Sequence, residues 1–179
     1  GQWRYNTDGI DIVNSDNVSI KNCFIRSFDD TISIKAIYNY DKPMENITVD
    51  NCVLWCGWGQ NCVLGVETAG IEFKNIVFRN CDLIHNSHAA LNIANGCYAD
   101  IHDILFENIN VELQHEMNPV LQNREKAVYC PDEKTMLPTF ITHSNYPYSI
   151  RKESPEGDIR ECCEKLGIIH DVIYKNINI

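Results

Sequence analysis

Three aspartates in two short motifs are the residues of this 179-residue chain best suited to acid–base chemistry. Asp8 lies in Asn6-Thr7-Asp8-Gly9, and the adjacent pair Asp29 and Asp30 begins twenty-one residues later. Carboxylates held close together cannot all stay ionised, so the pKa of at least one of them rises. A protonated carboxyl beside an ionised one is the acid and base pair of glycoside hydrolysis. Either motif alone is more typical of a turn, so the chemistry depends on whether the fold stacks them.

An eight-residue motif that recurs five times predicts the elements that hold these aspartates. Each copy combines alternating apolar residues with an asparagine, as in Asp16-Asn17-Val18-Ser19-Ile20-Lys21-Asn22-Cys23. The aligned asparagines are Asn22, Asn51, Asn80, Asn108 and Asn176. The first three steps between them are 29, 29 and 28 residues, and the last is 68. A regular period of this size indicates a repeat architecture.

The apolar alternation within each copy is strand periodicity, and it slips by one residue at the asparagine. Asn tolerates left-handed backbone, so the slip at Asn22 predicts a corner between two short strands. A third short strand follows, and three strands per coil of about 28 residues predict an all-β, right-handed parallel β-helix. Its coils stack about 4.8 Å apart, which lets aligned asparagines hydrogen-bond in ladders. The pattern of leucine-rich repeats is absent, and a β-sandwich would not keep such internal similarity.

The long last step predicts one further coil and an insertion of about 40 residues, placed approximately at 114–167. Residues 1–179 are expected to form a single domain, and a part of a longer protein, because the repeat is still running at Ile179. Within the insertion, Phe140, Tyr146 and Tyr148 either form an aromatic wall for a sugar or pin the loop to the solenoid.

The repeat also predicts where the aspartates lie relative to one another. Counting back two residues from the inward-facing Ile10 and Ile32 places Asp8 directly below Asp30, one coil spacing away. The same count places Gly59 and Gln60, and then His88 and Ala89, at the corner of the next two coils. The predicted substrate groove is therefore lined by Trp58, Gln60 and His88, although a corner histidine is also typical of an ordinary surface.

These motifs on a β-helix resemble the polygalacturonase family, glycoside hydrolase family 28, and the related dextranase and isopullulanase family 49 shares the three aspartates. The resemblance is closest over residues 6–35. It implies that Asp29 is the general acid and that Asp8 and Asp30 activate the attacking water. It also implies hydrolysis with inversion, for which the acid and base carboxyls lie roughly 6.5–9.5 Å apart. Hydrolysis of this kind requires no metal and no organic cofactor.

Two departures from the family pattern bear on the substrate. Pectinases carry Gly-His-Gly where this chain has Gly57-Trp58-Gly59, and Arg-Ile-Lys where it has Ala90-Leu91-Asn92. Without those cations a galacturonate carboxylate loses its charge-assisted hydrogen bonds, so a neutral oligo- or polysaccharide is expected instead of polygalacturonate. Lys35 matches a lysine often found in bacterial relatives, which suggests a bacterial origin; it either orients a substrate hydroxyl or is solvated. Glu67 is a groove candidate or an ordinary loop carboxylate.

Composition and charge narrow the possible partners, metal sites and cellular locations of the protein. The net charge is −10 with no basic stripe, which argues against a nucleic-acid partner, and no apolar run is long enough for a membrane span. The nine cysteines include no CxxC pair, so a zinc ribbon is disfavoured, and the many unpaired thiols favour the cytoplasm, with an extracellular location still open. Cys162 and Cys163 form a vicinal pair that is either redox-sensitive or unremarkable. The oligomeric state is open.

Two rival functions remain: a catalytically silent glycan-binding module, and a polysaccharide lyase, which needs a cationic base and usually Ca²⁺.

Overall fold

A computed structural model of the chain describes residues 6–86, 88–114, 139–152, 155, 157 and 159–179. These residues form sixteen β-strands, and none of them belongs to a helix that could cross a membrane. The strands are β1 (Ile10–Val13), β2 (Ser19–Lys21), β3 (Phe24–Ser27), β4 (Ile32–Tyr40), β5 (Met44–Asp50), β6 (Val53–Cys56), β7 (Cys62–Gly70), β8 (Glu72–Asn86), β9 (Ala89–Asn95), β10 (Asp100–Ile101), β11 (Ile104–Leu113), β12 (Thr139–Asn145), β13 (Ser149–Lys152), β14 (Ile159–Cys162), β15 (Ile168–Ile169) and β16 (Val172–Asn178).

Two parallel sheets wrap around one apolar core. Sheet 1 contains β1, β4, β7, β9 and β12 in that order, and each strand comes from a successive coil. Sheet 2 contains nine strands from the rest of each coil, with β5, β8, β11 and β16 stacked in parallel. The chain is therefore a parallel β-helix, which confirms the predicted fold class.

The asparagines that the repeat marked lie at the corners of the coils. Asn22 and Asn51 fall between two strands as predicted, whereas Asn80, Asn108 and Asn176 lie within the continuous strands β8, β11 and β16. All five aligned asparagines have positive φ, between 52° at Asn176 and 57° at Asn22. A second column of positive φ values lies five residues earlier in each coil and contains Asn17, Asn46, Asn75, Asp103 and Asp171. Asn and Asp adopt this left-handed backbone more readily than other residues with a Cβ, which explains why the repeat keeps them at these positions.

Asparagine side chains connect neighbouring coils on the outside of the solenoid. The Asn51 amide donates to Asn22 Oδ1 at 2.7 Å, and the Asn108 amide donates to Asn80 Oδ1 at 3.0 Å. The ladder is broken between those pairs, because Asn80 donates to Asp50 Oδ1 at 2.9 Å. The predicted ladder therefore forms in segments.

The core repeats in the same register as the corners. Phe78 and Phe106 stack at 5.3 Å between ring centroids, and Tyr174 stacks on Phe106 at 5.1 Å. Cys52 and Cys81 are 2% and 1% exposed, so these repeated cysteines fill the interior as small apolar residues, as the sequence indicated.

The segment predicted as an insertion contains a coil strand and a hairpin. β12 pairs in parallel with β9, so the solenoid resumes at Thr139, and β13 and β14 form an antiparallel pair beyond it. Phe140 packs against the core. Residues 115–138 of the predicted insertion lie outside the described residues.

One disulfide fastens the hairpin region to the solenoid. Cys163 is bonded to Cys97, 66 residues earlier in the chain, while Cys162 carries a free thiol. The vicinal cysteines are therefore not a redox pair with each other. The cytoplasmic location that the unpaired thiols favoured stays a prediction.

The corner asparagines are expected to stabilise the fold mainly through their backbone conformation. Asn108→Ala should cost about 1–2 kcal/mol more in the free energy of unfolding than Asn110→Ala, because only Asn108 has positive φ. Both side chains are exposed, and each bonds one asparagine or aspartate in the coil below and one in the coil above. Urea unfolding of the two variants measures the difference.

Asn108→Gly is the second control, because glycine keeps the left-handed backbone and removes only the side-chain hydrogen bonds. It should lie within a few tenths of a kcal/mol of Asn110→Ala. Equal losses for Asn108→Ala and Asn110→Ala would contradict the conformational explanation.

Candidate active site

Sheet 1 places the two aspartate motifs on neighbouring coils. Ile10 pairs with Ile32, so Asp8 and Asp30, each two residues earlier, lie in one column at the start of adjacent strands. The next strands continue the column, since Ile32 pairs with Cys62 and Cys62 pairs with Leu91. The predicted column of Asp8, Asp30, Gln60 and Ala89 therefore exists as the repeat indicated.

A glycine holds the Asp29-Asp30 peptide in place from the coil above. A Cβ added to Gly59 would lie 2.6 Å from the Asp29 carbonyl carbon and 2.7 Å from the Asp30 nitrogen. The Gly59 N–H donates to the Phe28 carbonyl at 2.9 Å, which fixes this close approach. Any larger residue at position 59 would push the paired aspartates out of position.

A buried chain of polar side chains supports the same peptide from inside the solenoid. Ser27 Oγ donates to the Asp29 carbonyl at 2.6 Å and lies 2.8 Å from Thr31 Oγ1. Thr31 donates to Asn61 Oδ1 at 2.9 Å, and Asn61 donates to Asn86 Oδ1 at 2.6 Å. Because these groups satisfy one another, an apolar core can contain them without a large desolvation cost.

Asp30 is the carboxyl whose ionisation the fold disfavours most clearly. Burial, together with the negative charges of Asp29 and Asp8, raises the pKa of Asp30 to about 7. One backbone N–H opposes this effect, because Gln60 N donates to Asp30 Oδ1 at 3.0 Å. Near neutral pH a substantial fraction of Asp30 is therefore protonated.

Asp29 is also harder to ionise than a free aspartate, and burial is the main cause of its raised pKa. Two backbone donors favour its ionised form: Asn6 N–H reaches Oδ2 at 2.8 Å and Asp30 N–H reaches Oδ1 at 3.1 Å. Both oxygens of the predicted general acid are thus engaged with the backbone. The structure brings the three aspartates into mutual electrostatic contact, as expected from the stacked motifs.

A cleft of about 480 Å³ runs along sheet 1 from this corner towards β12. Five of the predicted site residues line it, namely Asp30, Lys35, Gln60, Glu67 and His88. Three do not: Asp8 lines a separate depression with Asn6, Gly9 and Asp11, while Asp29 and Trp58 line neither space. The role of Trp58 in binding a sugar stays a prediction.

Among the other residues along the cleft, Tyr146 is one of the aromatic residues considered for a sugar wall, whereas Asn92 and Thr142 were not assigned to the site from the sequence. Asn92 on β9 accepts a hydrogen bond of 2.6 Å from Thr142 Oγ1 on β12, and Tyr146 closes the far end. Asn92 lies three residues after Ala89, so continuing the same residue count along the strand would have placed it at the cleft. Thr142 carries no such signal, because the long insertion hides where the coil resumes.

The cleft offers a substrate little free positive charge. Among the described residues that line it, Lys35 is the one lysine or arginine, and its Nζ lies 3.0 Å from both Asp8 Oδ2 and Asp11 Oδ2. Burial lowers the pKa of both His88 and His143, so these imidazoles are neutral at pH 7. No group of three or more potential metal ligands occurs within the described ranges.

The raised pKa of Asp30 predicts that Asp30→Asn stabilises the protein in a pH-dependent way. Between pH 3.8 and about 7, Asp30 binds a proton more strongly in the folded state than in the unfolded state. The stability of the wild type therefore falls as the pH rises through this range. The variant should match the wild type near pH 4 and be more stable by about 1–3 kcal/mol at pH 8. Urea unfolding at both pH values measures this.

Asp50→Asn is the matched control with the opposite sign. Hydrogen bonds from Arg79 and then Asn80 lower the pKa of Asp50 on the outer face, so its stabilisation is present above pH 3.8 and is lost in acid. This variant should be less stable than the wild type at pH 8. An Asp30→Asn protein no more stable than the wild type at pH 8 would contradict the electrostatic explanation of the aspartate corner.

Comparison with known proteins agrees with this geometry. Residues 2–179 match the family described as Glycosyl hydrolases family 28. The probable rhamnogalacturonase A of Aspergillus oryzae (strain ATCC 42149 / RIB 40) is 26% identical over 101 residues, which are 56% of this chain and 20% of the relative. Rhamnogalacturonase A of Aspergillus aculeatus is also 26% identical over 101 residues, 56% of this chain and 21% of the relative.

The aligned region thus spans about a fifth of the length of these curated relatives. They are fungal, so they give no support to a bacterial origin. No solved structure matches the chain significantly. The family match over nearly the whole chain, together with the stacked aspartate motifs on a parallel β-helix, shows that this chain belongs to glycosyl hydrolases family 28.

Proposed function

We propose that the protein is a glycoside hydrolase that cleaves a glycan lying along the cleft of sheet 1, with inversion at the anomeric carbon. The observation that carries the proposal is the aspartate corner itself. Asp8 and Asp30 lie in one column of adjacent coils, Asp29 is next to Asp30, and Asp30 lines the 480 Å³ cleft. Clustered carboxyls with raised pKa values are costly for stability and are typical of catalytic sites.

In the assignment that the family resemblance supports, Asp29 protonates the leaving oxygen while Asp8 and Asp30 activate water. Asp8 suits the base role, because its Oδ2 contacts Lys35 while its Oδ1 is buried and accepts no hydrogen bond from any described residue. That oxygen is left for the attacking water. A single displacement by this water inverts the anomeric configuration.

A rival assignment exchanges the roles of the paired aspartates. It is favoured by the position of Asp30 on the cleft and by its pKa of about 7, which keeps a proton available near neutrality. Asp29, in contrast, accepts two backbone N–H bonds that favour its ionised form. The two assignments differ in which single substitution removes only the acid.

For the substrate, the charge of the cleft supports a sugar without a carboxylate at the site of cleavage. Lys35 is neutralised by two aspartates, and His88 and His143 are neutral at pH 7. A buried galacturonate would therefore lack a free cationic partner among the described residues of the cleft. The second candidate is a rhamnogalacturonan, after the names of the curated relatives.

The full-length protein is expected to release a product of inverted anomeric configuration from a neutral glycan. Early-time ¹H NMR on a panel of neutral glycans, rhamnogalacturonan and polygalacturonate identifies both the substrate and the anomer. Retention of configuration would exclude the single-displacement mechanism. An unsaturated product that absorbs in the ultraviolet would indicate a lyase, and binding without turnover on any glycan would indicate a silent binding module.

Asp29→Asn is expected to lower kcat on the identified glycan by about 10²–10⁴-fold, because the leaving oxygen is no longer protonated. The same variant should still hydrolyse the matching glycosyl fluoride, whose leaving group needs no proton. Asp8→Asn should lose activity on both substrates, because the water is no longer activated. Asp50→Asn, on the outer face, is the matched control and should keep wild-type activity.

If Asp30→Asn rather than Asp29→Asn keeps activity on the fluoride alone, the rival assignment holds. If Asp29→Asn leaves activity on the glycan intact, the role of the aspartate corner in acid catalysis is refuted.

A further inference from the structure

Lys35 lies between two carboxylates and is not directed at the open cleft. Its Nζ donates to Asp8 Oδ2 and to Asp11 Oδ2, each at 3.0 Å. The side chains of Lys35 and Asp8 are only 17% and 16% exposed, and that of Asp11 is 37% exposed. The Lys35 ammonium is therefore already paired within the protein, and a substrate anion would have to displace one of the aspartates to reach it.

The three charges depend on one another. Burial by itself favours neutral lysine, but the two carboxylates outweigh it and raise the pKa of Lys35 above its ordinary value. Burial likewise raises the pKa of Asp11, and Lys35 opposes that rise. A buried ion pair that loses one partner leaves an uncompensated charge, which is strongly unfavourable.

The strand register explains why these residues meet. Asp11 lies on β1, three residues after Asp8, which precedes that strand. Lys35 lies on β4, where it pairs with Val13 of the coil below. The lysine side chain thus reaches from one coil to the two aspartates of its neighbour. It bridges the cleft, which Lys35 lines, and the depression that contains Asp8 and Asp11.

We propose that Lys35 and Asp11 form a positioning pair for Asp8: Lys35 fixes the Oδ2 of Asp8 and places its positive charge beside it, and Asp11 holds Lys35 in that place. This inference rests on the proposed function, in which Asp8 is part of the base. It assigns Asp11 a role and makes Lys35 a positioning residue that acts through Asp8, not a ligand of the sugar.

Other charged groups face this cluster and set the direction of the effect. Asp29 and Asp30 approach from the start of β4, and both interact electrostatically with Lys35. Glu67 on β7 and His88 before β9 line the same cleft. Apart from Lys35, these neighbours are acidic or neutral. Loss of the lysine therefore leaves the clustered carboxylates without a cation among the described residues that line the cleft, and favours their protonation.

Lys35→Met is the test, with two readouts. The first is a ¹³C NMR titration of the aspartate carboxyls, which needs no substrate. An opposite charge at this distance lowers a carboxyl pKa by about 1–3 units, so the titration of the corner should move up by about one unit or more in the variant. The second is the pH dependence of kcat, whose acidic limb should move in the same direction. At a fixed pH on that limb, kcat should fall about tenfold per unit, with KM nearly unchanged.

Lys74→Met is the matched control, because Lys74 also contacts two carboxylates, Glu72 Oε2 at 2.6 Å and Glu45 Oε2 at 3.8 Å, but on sheet 2. It should shift neither readout. Lys35→Arg keeps the cation and should restore most of the wild-type pH profile. Asp11→Asn keeps the cation and removes a carboxylate that disfavours ionisation of its neighbours, so it should move the corner titration the opposite way, downwards. It should still lower kcat, because Lys35 is no longer held against Asp8 Oδ2, and it provides a test if Lys35→Met does not fold.

The outcomes separate the two proposals. A raised corner titration with a shifted kcat profile supports the positioning pair. An unshifted titration in Lys35→Met and Asp11→Asn overturns it. An increase in KM of about tenfold without a pH shift also overturns it, because it indicates a direct substrate contact. A raised titration in a protein that hydrolyses no glycan supports the positioning pair and overturns the proposed function alone.

Discussion

The register between successive strands of sheet 1 is the constraint on which the rest of the site depends. A residue's distance along the chain from the inward-facing apolar pair decides which column it joins, and each column rises by one strand spacing per coil. Asp8 and Asp30 are neighbours because Ile10 pairs with Ile32. A slip of one residue would turn the aspartates towards the opposite face, so the corners that hold the register also hold the chemistry.

That register forces like charges together, and the fold compensates for them locally. Asp30 receives one backbone N–H, Asp29 receives two, and Asp8 contacts the Lys35 ammonium. The compensation is incomplete at Asp30, whose pKa stays near 7. On the outer face, Asp50 is fully compensated by Arg79 and Asn80, and its pKa is lowered instead. The contrast distinguishes a carboxylate placed for stability from one whose placement costs stability.

Much of this arrangement could be predicted from the sequence, because a solenoid turns periodicity directly into position. The phase slip at Asn22 marked a corner, and counting from Ile32 placed Asp30 above Asp8. The residue count was applied to one column only, so it did not assign Asn92, three residues after Ala89 on the same strand, to the cleft. Trp58 lies in an irregular turn, where periodicity does not fix the direction of a side chain.

Two other features lay beyond the reach of the repeat. The Cys97–Cys163 disulfide joins the solenoid to a cysteine within the predicted insertion, and no spacing pattern in the sequence indicates such a pair. The pairing of Lys35 with Asp11 depends on a flexible side chain reaching across coils, which strand register alone does not specify. Position along a strand was predictable, and side-chain pairing between columns was not.

The commitment of Lys35 to two aspartates also bears on which sugars the cleft can accept. With that cation neutralised, the cleft still offers amides and hydroxyls such as Gln60, Asn92 and Thr142, beside carboxyls and neutral imidazoles. Amides and hydroxyls match sugar hydroxyls, whereas a carboxylate would be desolvated there without a cationic partner among the described residues. The lysine that contacts the proposed base is therefore the same lysine that is withheld from an acidic sugar, so the proposed mechanism and the proposed neutral substrate depend on one cluster of ion pairs.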